Sequence, residues 1–592
     1  MLPRVSLFYF WLVGLLWMLS GWGLVGAEPA YLDHKTLTRD ARALARSHPA
    51  IVHLESACVT TQKNDVWRLE LGSGPEAERR VRPAMLIVAG IEGNDQVGPV
   101  SVMRWLETLA GGYQGDDRIK HLLDTTTVYA WPRVNPDAAG HFFAKPRVEI
   151  ATNDKPVDDD HDGLVDEDGP EDLNGDGLIT WMRVEDPEGE YMLDPVDARL
   201  LLKADRFKGE RGGWQLWTEG RDNDGDKRWN EDGPGGVNFN RNFPYGYRFF
   251  ATDAGRHPIS EVETRALADF VIAHPNIAVA FTFGAADNLV QTPKGEAPKR
   301  PPTALHEEDL AWYRELGKSW RETLGLKKEL SASTEPGTFS DWIYFHRGRL
   351  SLAARPWSPA LQLELAKTQG TDAKPKDDAP RKEAAPDDST KRDRAKDKSA
   401  DKPKETDNRN EEDRAFLKWI DQHATNLFVP WKKFDHPDFP TQTVEIGGFA
   451  PYARTAPPPA LLADLTEKQG RFLTELAGKL PRIGVHRIEV KHLGESVYDI
   501  TAHIENTGVL PTQLAQGGLT REVLPTRVIL KTDTKNILSG QRTVMLDAIQ
   551  GHAAKEVRWV VRAKGESKLD LEIVSALAGH TQTAVQLKQA QR

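Results

Sequence analysis

Two carboxylates three residues apart, Glu92 and Asp95, sit in the stretch Met85–Gly98, MLIVAGIEGNDQVG. The apolar run from Met85 to Ala89 reads as a buried strand that breaks at Gly90 into a polar loop. Loops at the carboxyl ends of strands are where α/β sheets place their chemistry. Carboxylates there can trade protons, hold a cation, or simply face water. A second acidic set lies downstream in three loops. The first carries Asp158, Asp160 and Asp162 before Gly163, then Asp166 and Asp168. The second carries Asp172, Asn174 and Asp176 before Gly177, and the third Asp222, Asp224 and Asp226 around Gly225, followed by Asn230, Glu231 and Asp232. Oxygen ligands at alternate positions, with glycine allowing the sharp turn, suit Ca²⁺. An EF-hand loop needs a bidentate Glu at position twelve, where this chain has Gly169 and Arg183. Isolated structural calcium loops are therefore expected, with Asp158, Asp160, Asp162, Asp166, Asp172, Asn174, Asp176, Asp222, Asp224 and Asp226 as ligands. A third set follows at once: Asn240 and Arg241, inside NFNRNFP, are suited to gripping a carboxylate in a two-bond fork.

The elements that must position these groups follow from hydrophobic period. Residues 31–48 read as an amphipathic helix, and Ile51–His53 and Val66–Leu71 as strands. Val97–Leu109 has helical spacing and is stopped by Gly111-Gly112. Thr127–Trp131 is a strand, Glu261–His274 a helix, Ile277–Phe283 a strand and Leu310–Leu324 a helix; a helix-to-strand passage spans Asp341–Ala354. Strands alternating with helices predict an α/β fold with a mixed, mostly parallel sheet and helices on both faces. Residues 150–236, rich in Asp, Gly and Asn, read as a surface insertion. Residues 461–480 form one more amphipathic helix. From about Arg482 the period switches to two, with Tyr498, Ile500, Ala502 and Ile504 alternating with polar residues. A C-terminal all-β sandwich, of immunoglobulin-like type, is expected there.

Composition bounds the rest. At 592 residues the chain exceeds one core, and its formal net charge of −11 argues against nucleic acid as a partner. Arg4, the apolar run Val5–Leu19 and the small residues ending at Ala27 fit a secretory signal over residues 1–27, which predicts a secreted, periplasmic or cell-surface protein with no membrane span after cleavage. The one remaining cysteine, Cys58, excludes an intrachain disulfide. Residues 366–412, nearly all Lys, Asp, Glu, Ala, Pro, Arg and Thr, cannot bury enough apolar surface to offset their ordering entropy and are expected to be a disordered linker. The expected domains are 28–365 with the insertion 150–236, a closing part 413–480, and the β domain 481–592, the latter with a possible surface or matrix partner.

Taken in order, VAGIEGNDQVG, VNPD, NFNRNFP, SEVETRAL, FTFGAADNLVQTP, GTFSDW, LSLAARPW and VEIGGFAPY resemble the zinc metallocarboxypeptidases, the carboxypeptidase A/B-like family. The resemblance implies that family's fold, a catalytic zinc and removal of C-terminal residues from peptides. It also places the family's functional positions. The His and Glu of its zinc motif fall on Glu92 and Asp95, its second His on Gly284, its general base on Arg355 and its mobile Tyr near Ser333. Its carboxylate clamp falls on Asn240 and Arg241, and Arg147 is the nearest candidate for its oxyanion-stabilising Arg. Two carboxylates and a glycine make a poor zinc site, and Arg stays protonated and cannot act as a base. The expectation is a catalytically degenerate protein that keeps a clamp for peptide C-termini, with the Arg355 guanidinium seated between Glu92 and Asp95. The alternatives are an active peptidase with an unusual or relocated metal site, to which His141, His257 or His346 would contribute, and a calcium-stabilised structural module.

Overall fold

The computed structural model describes residues 30–158, 163–230, 232–233, 235–297, 299, 301–332, 335–369 and 408–587. The signal segment, most of the charged linker, and Asp160, Asp162, Glu231 and Ser333 lie outside the described residues.

The central sheet has six strands: β1 (Val52–Val59), β2 (Asp65–Leu71), β3 (Ala84–Val88), β4 (Thr127–Trp131), β9 (Ile277–Phe283) and β10 (Leu350–Ala354). Their order is β1-β2-β4-β3-β9-β10. The pairs β1/β2 and β2/β4 are antiparallel, while β4/β3, β3/β9 and β9/β10 are parallel. Every residue of β3 is buried, as expected of a central strand covered on both faces. Its side chains still alternate. Met85 and Ile87 enter one apolar core, and Ala84, Leu86 and Val88 the other.

Helix α1 (His34–Ser47) carries Leu37, Ala41 and Leu44 into the first core. Helix α2 (Val97–Gly112) leaves the loop after β3 and lies beside the closing helix Leu462–Gly478. Ser101 Oγ donates to Gln469 Oε1 at 2.5 Å and Trp105 Nε1 to Thr474 Oγ1 at 2.9 Å. The helix Val262–Ala273 and the short helix Phe339–Phe345 cover the other face.

The insertion is more than a looped surface. It forms β5 (Trp181–Glu185), β6 (Tyr191–Leu193), β7 (Leu201–Lys203) and β8 (Trp214–Thr218), joined by β11 (Phe428–Phe434) and β12 (Val444–Phe449) from the closing part. The order of this second sheet is β11-β12-β5-β8-β6-β7. Met182 and Val184 alternate inward, against Phe439 and Val444. The charged stretch also begins later and ends earlier than its composition suggests, because helices run through Pro359–Gln369 and from Glu411 to His423.

The C-terminal part is β-rich, with one short helix, Ala515–Thr520, where an all-β unit was expected. One sheet orders β13 (Ile483–Gly494), β14 (Val497–Asn506), β18 (Ala554–Arg562) and β16 (Ile537–Ser539); the other orders β17 (Thr543–Leu546), β15 (Thr526–Lys531), β19 (Lys568–Ser575) and β20 (Gly579–Gln586). Tyr498, Ile500, Ala502 and Ile504 share one core with Val528, Leu530, Leu571 and Ile573 of the other sheet. Asp309 of the α/β part docks this unit by accepting the backbone N–H groups of Ala515 and Gln516 at 2.8 and 3.0 Å. No helix among the described residues is long and apolar enough to cross a membrane.

Candidate active-site cleft and acidic loops

The loop after β3 turns at Gly90, whose φ is +55°. A Cβ there would meet Arg133 and Pro99 at 3.2 Å, so the turn needs glycine twice over. The turn brings Glu92 and Asp95 to the carboxyl ends of β3 and β9. Glu92 is 3% exposed. Its Oε1 accepts from Asn240 Nδ2 at 2.7 Å and from the Ala285 N–H at 3.2 Å, while Oε2 has no hydrogen-bond partner among the described residues. Burial pushes this carboxyl up to about 7, and the neighbouring Asp95 charge adds to the rise against the pull of the Asn240 hydrogen bond. A Cβ on Gly284 would lie 2.5 Å from Glu92 Oε2. No larger residue fits there while Glu92 keeps this position.

Asp95 is consumed by its own loop. Oδ2 accepts the Gly90 N–H at 2.9 Å and Oδ1 the Gly98 N–H at 2.8 Å. Burial raises its pKa, and those backbone bonds and the nearby Arg133 oppose the rise. Arg133 is 1% exposed. It donates Nη2 to Leu32 O at 2.6 Å, while Nε and Nη1 are buried without partners among the described residues. Burial lowers its pKa to about 10.

The expected seat of Arg355 between the two carboxylates is not found. Its Nη2 donates to Ala285 O at 3.3 Å and its backbone N–H to Asp287 Oδ2 at 3.0 Å. The reason is local. Buried Asp287 pins the Arg355 backbone together with the N–H groups of Leu289 and Val290, and the cation beside Asp95 is Arg133. Among the described residues the Arg355 guanidinium has no carboxylate partner. It lines a cavity of about 390 Å³ with Ala285, Asp287, Val290, Leu330 and Leu361.

Asn240 bridges the cleft, giving Nδ2 to Glu92 and accepting the Phe339 N–H on Oδ1 at 3.0 Å. Arg241 already holds an internal carboxylate, with Nη1 at 2.6 Å from Asp253 Oδ2 and Nη2 at 3.8 Å from Glu335. Arg147 lies over the Phe142 ring, 4.9 Å from its centroid. His141 pairs with Asp154 at 2.8 Å and His257 faces Pro258 O. His346 packs edge-on against Tyr245. None of the three joins Glu92 and Asp95 in a metal-sized cluster among the described residues.

The acidic loops are built differently. In the second, Asp172 accepts the N–H groups of Asp176 and Gly177, Asn174 that of Asp176, and Asp176 that of Leu178. In the third, Asp222 accepts the N–H groups of Gly225 and Lys227, Asp224 that of Asp226, and Asp226 that of Arg228. One carboxylate oxygen from each of Asp222, Asp224 and Asp226 lies within 4.8 Å of the others. Two carboxylates that composition alone does not single out organise these loops. Buried Glu219 accepts the N–H groups of Leu173, Asn174 and Thr180 and the Thr180 hydroxyl. Buried Asp168 accepts the N–H groups of Asn223 and Asn230, tying the first loop to the third.

Residues 37–154 and 208–371 match the profile of the zinc carboxypeptidases. These segments resemble the zinc carboxypeptidases. Human carboxypeptidase D is 30% identical to this chain over 107 residues, which span 18% of the chain and 8% of that protein. Mouse carboxypeptidase M is 29% identical over 96 residues, 16% of the chain and 22% of that protein. The chain thus spans well under a third of the length of either relative. Among solved structures, that of thrombin activatable fibrinolysis inhibitor aligns with a TM-score of 0.37 at 15% identity, over 56% of this chain and 69% of its own. Residues 482–586 match a domain of unknown function, DUF8731.

Proposed function

We propose that this carboxypeptidase-fold domain binds a carboxylate-bearing chain end without hydrolysing it. The observation that carries the reading is the state of Glu92 and Asp95: three of their four oxygens already accept internal N–H groups. The family's zinc would need nitrogen ligands and an open position. The groups at these positions are two engaged carboxylates and Gly284, which do not fit that ion, and the base position holds Arg355. No hydrolytic step is assigned to the site.

Two guanidiniums remain to hold a carboxylate. Arg241, with Asn240 beside it, occupies the family's clamp position, and a ligand there would displace Asp253. Arg355 has no carboxylate partner to displace among the described residues and opens onto the cavity walled by Val290, Leu330 and Leu361, with Glu412 and Arg454 also in its lining. In the same reading, calcium occupies the loops of Asp172, Asn174 and Asp176 and of Asp222, Asp224 and Asp226, and holds the insertion together. The chain is exported through its N-terminal segment.

The test pairs elemental analysis with peptide titrations. Peptides with a free C-terminus should bind and their C-terminally amidated forms should not. Arg241→Ala or Arg355→Ala should weaken that binding, and no C-terminal residue should be released with added zinc. Zinc at one ion per chain with zinc-dependent release would overturn the reading.

A further inference from the structure

Away from the cleft, α1 and the turn between β1 and β2 enclose a groove of about 570 Å³. Its lining includes Lys35, Arg39, Arg42, Arg46 and Lys63, against a single carboxylate, Asp65. The chain as a whole carries −11, so this is a local concentration of the minority charge. Lys35, Arg39, Arg42 and Arg46 stand four, three and four residues apart, which places them on one face of α1, opposite Leu37, Ala41 and Leu44. From the first to the last the helix rises about 16 Å. Like charges at that spacing repel each other. Among the described residues only Arg39 of these cations has a carboxylate partner, Asp40 at 2.8 Å. Asp65 is hydrogen-bonded to Ser56 Oγ at 2.6 Å.

Two features fix these cations in place. Arg42 lies over the Trp67 ring, 5.0 Å from its centroid, and Trp67 Nε1 donates to Thr38 Oγ1 at 2.8 Å. Lys63 occupies a left-handed position, φ +67°, where glycine is the unstrained choice. The turn that holds it is closed by Thr60 N–H to Asn64 O at 2.9 Å and anchored by Asn64 Nδ2 to Asp137 Oδ1 at 2.8 Å. A long cationic side chain is thus kept over the α1 stripe at a cost in backbone strain.

We propose that this groove binds a linear acidic polysaccharide. Its concave shape and length suit an extended polymer bearing repeated negative groups, each meeting a cation along the stripe. A single-stranded nucleic acid would call for aromatic faces to stack its bases, and the nearby indole, Trp67, is buried beneath Arg42. An anionic membrane would call for apolar side chains flanking the charges, and none lines the groove.

The full-length protein is titrated at low ionic strength with a heparin-derived oligosaccharide and with oligogalacturonate, and in parallel with duplex DNA and anionic phospholipid vesicles. At least one saccharide should bind, more weakly as salt rises. The triple variant Lys35→Gln, Arg46→Gln, Lys63→Gln should weaken that binding about tenfold or more, the order expected when several charge contacts are lost. Its melting temperature should not fall, since all three side chains are exposed and their neutralisation relieves like-charge repulsion. Arg39→Gln should weaken it less because Asp40 already holds that side chain. Absence of saccharide binding, equal affinity of the triple variant, or equally tight binding of DNA or vesicles would each overturn the proposal.

Discussion

The molecule contains two gatherings of carboxylates that differ in one physical respect. Glu92 and Asp95 are walled in, with Asn240, Ala285 and the loop's own N–H groups as neighbours. Asp222, Asp224 and Asp226 use backbone donors too, but they stand at the surface and still turn three oxygens toward one point. Desolvation favours a proton in the first place; convergence in water favours a cation in the second. Residue type alone does not distinguish them. What separates them is whether the surrounding chain has already supplied the partners.

The closed kind has a supporting member whose loss should be felt most. Glu219→Ala strips four donors of their acceptor, two of them on buried Thr180, where each orphaned donor costs about 1–3 kcal/mol. A fall in stability of about 3 kcal/mol or more, read by denaturant titration, is expected; a change under about 1 kcal/mol would mean that this carboxylate does not organise the loop.

Next comes the pH response of Glu92. Its folded pKa is raised to about 7, from 4.5. The folded state therefore holds the proton that the unfolded state gives up, and stability falls as pH rises between those values. At about 1.4 kcal/mol per unit, the swing is about 3 kcal/mol. Glu92→Gln should remove that part of the pH dependence, measured as melting curves from pH 4 to 8. An unchanged profile in the variant would place the proton elsewhere.

The open kind should answer to calcium. At a hundredfold excess over its dissociation constant, a bound ion stabilises by about 2.7 kcal/mol. Calcium should raise the melting temperature of the wild type, and the double variant Asp222→Asn, Asp224→Asn should lose part of that rise. If calcium shifts both proteins equally, the third loop is not an ion site.

The smallest effect is expected at Arg355. Its head makes one bond to a carbonyl, so Arg355→Ala should cost under about 1 kcal/mol of stability. A large loss would return that side chain to the structural role its sequence position suggested.

Much of the α/β framework was legible because period and length agreed. The Leu310–Leu324 helix and the Ile277–Phe283 strand have the expected boundaries. The second sheet was hidden because Asp, Gly and Asn dominate the composition around it. The alternation in WMRVE and the tryptophans of WQLWT were the available signal. In the cleft, sequence order found the loop and Asn240 but assigned the neighbouring cation to Arg355. Arg133, just before VNPD, reads as an ordinary surface arginine until tertiary packing buries it. Glu219 was missed, and Asp168 was read only as one more carboxylate of the first loop, for a related reason. Among many acidic residues, only the fold decides which ones turn inward.

The second sheet has a further consequence. Val444–Gly447 of β12 pair with Trp181–Val184 of β5, and the closing helix is bonded to α2. Both junctions join chain from opposite sides of residues 370–407. A protease cut in that stretch would thus yield a non-covalent heterodimer, with fragments that migrate together on gel filtration and part only in denaturant.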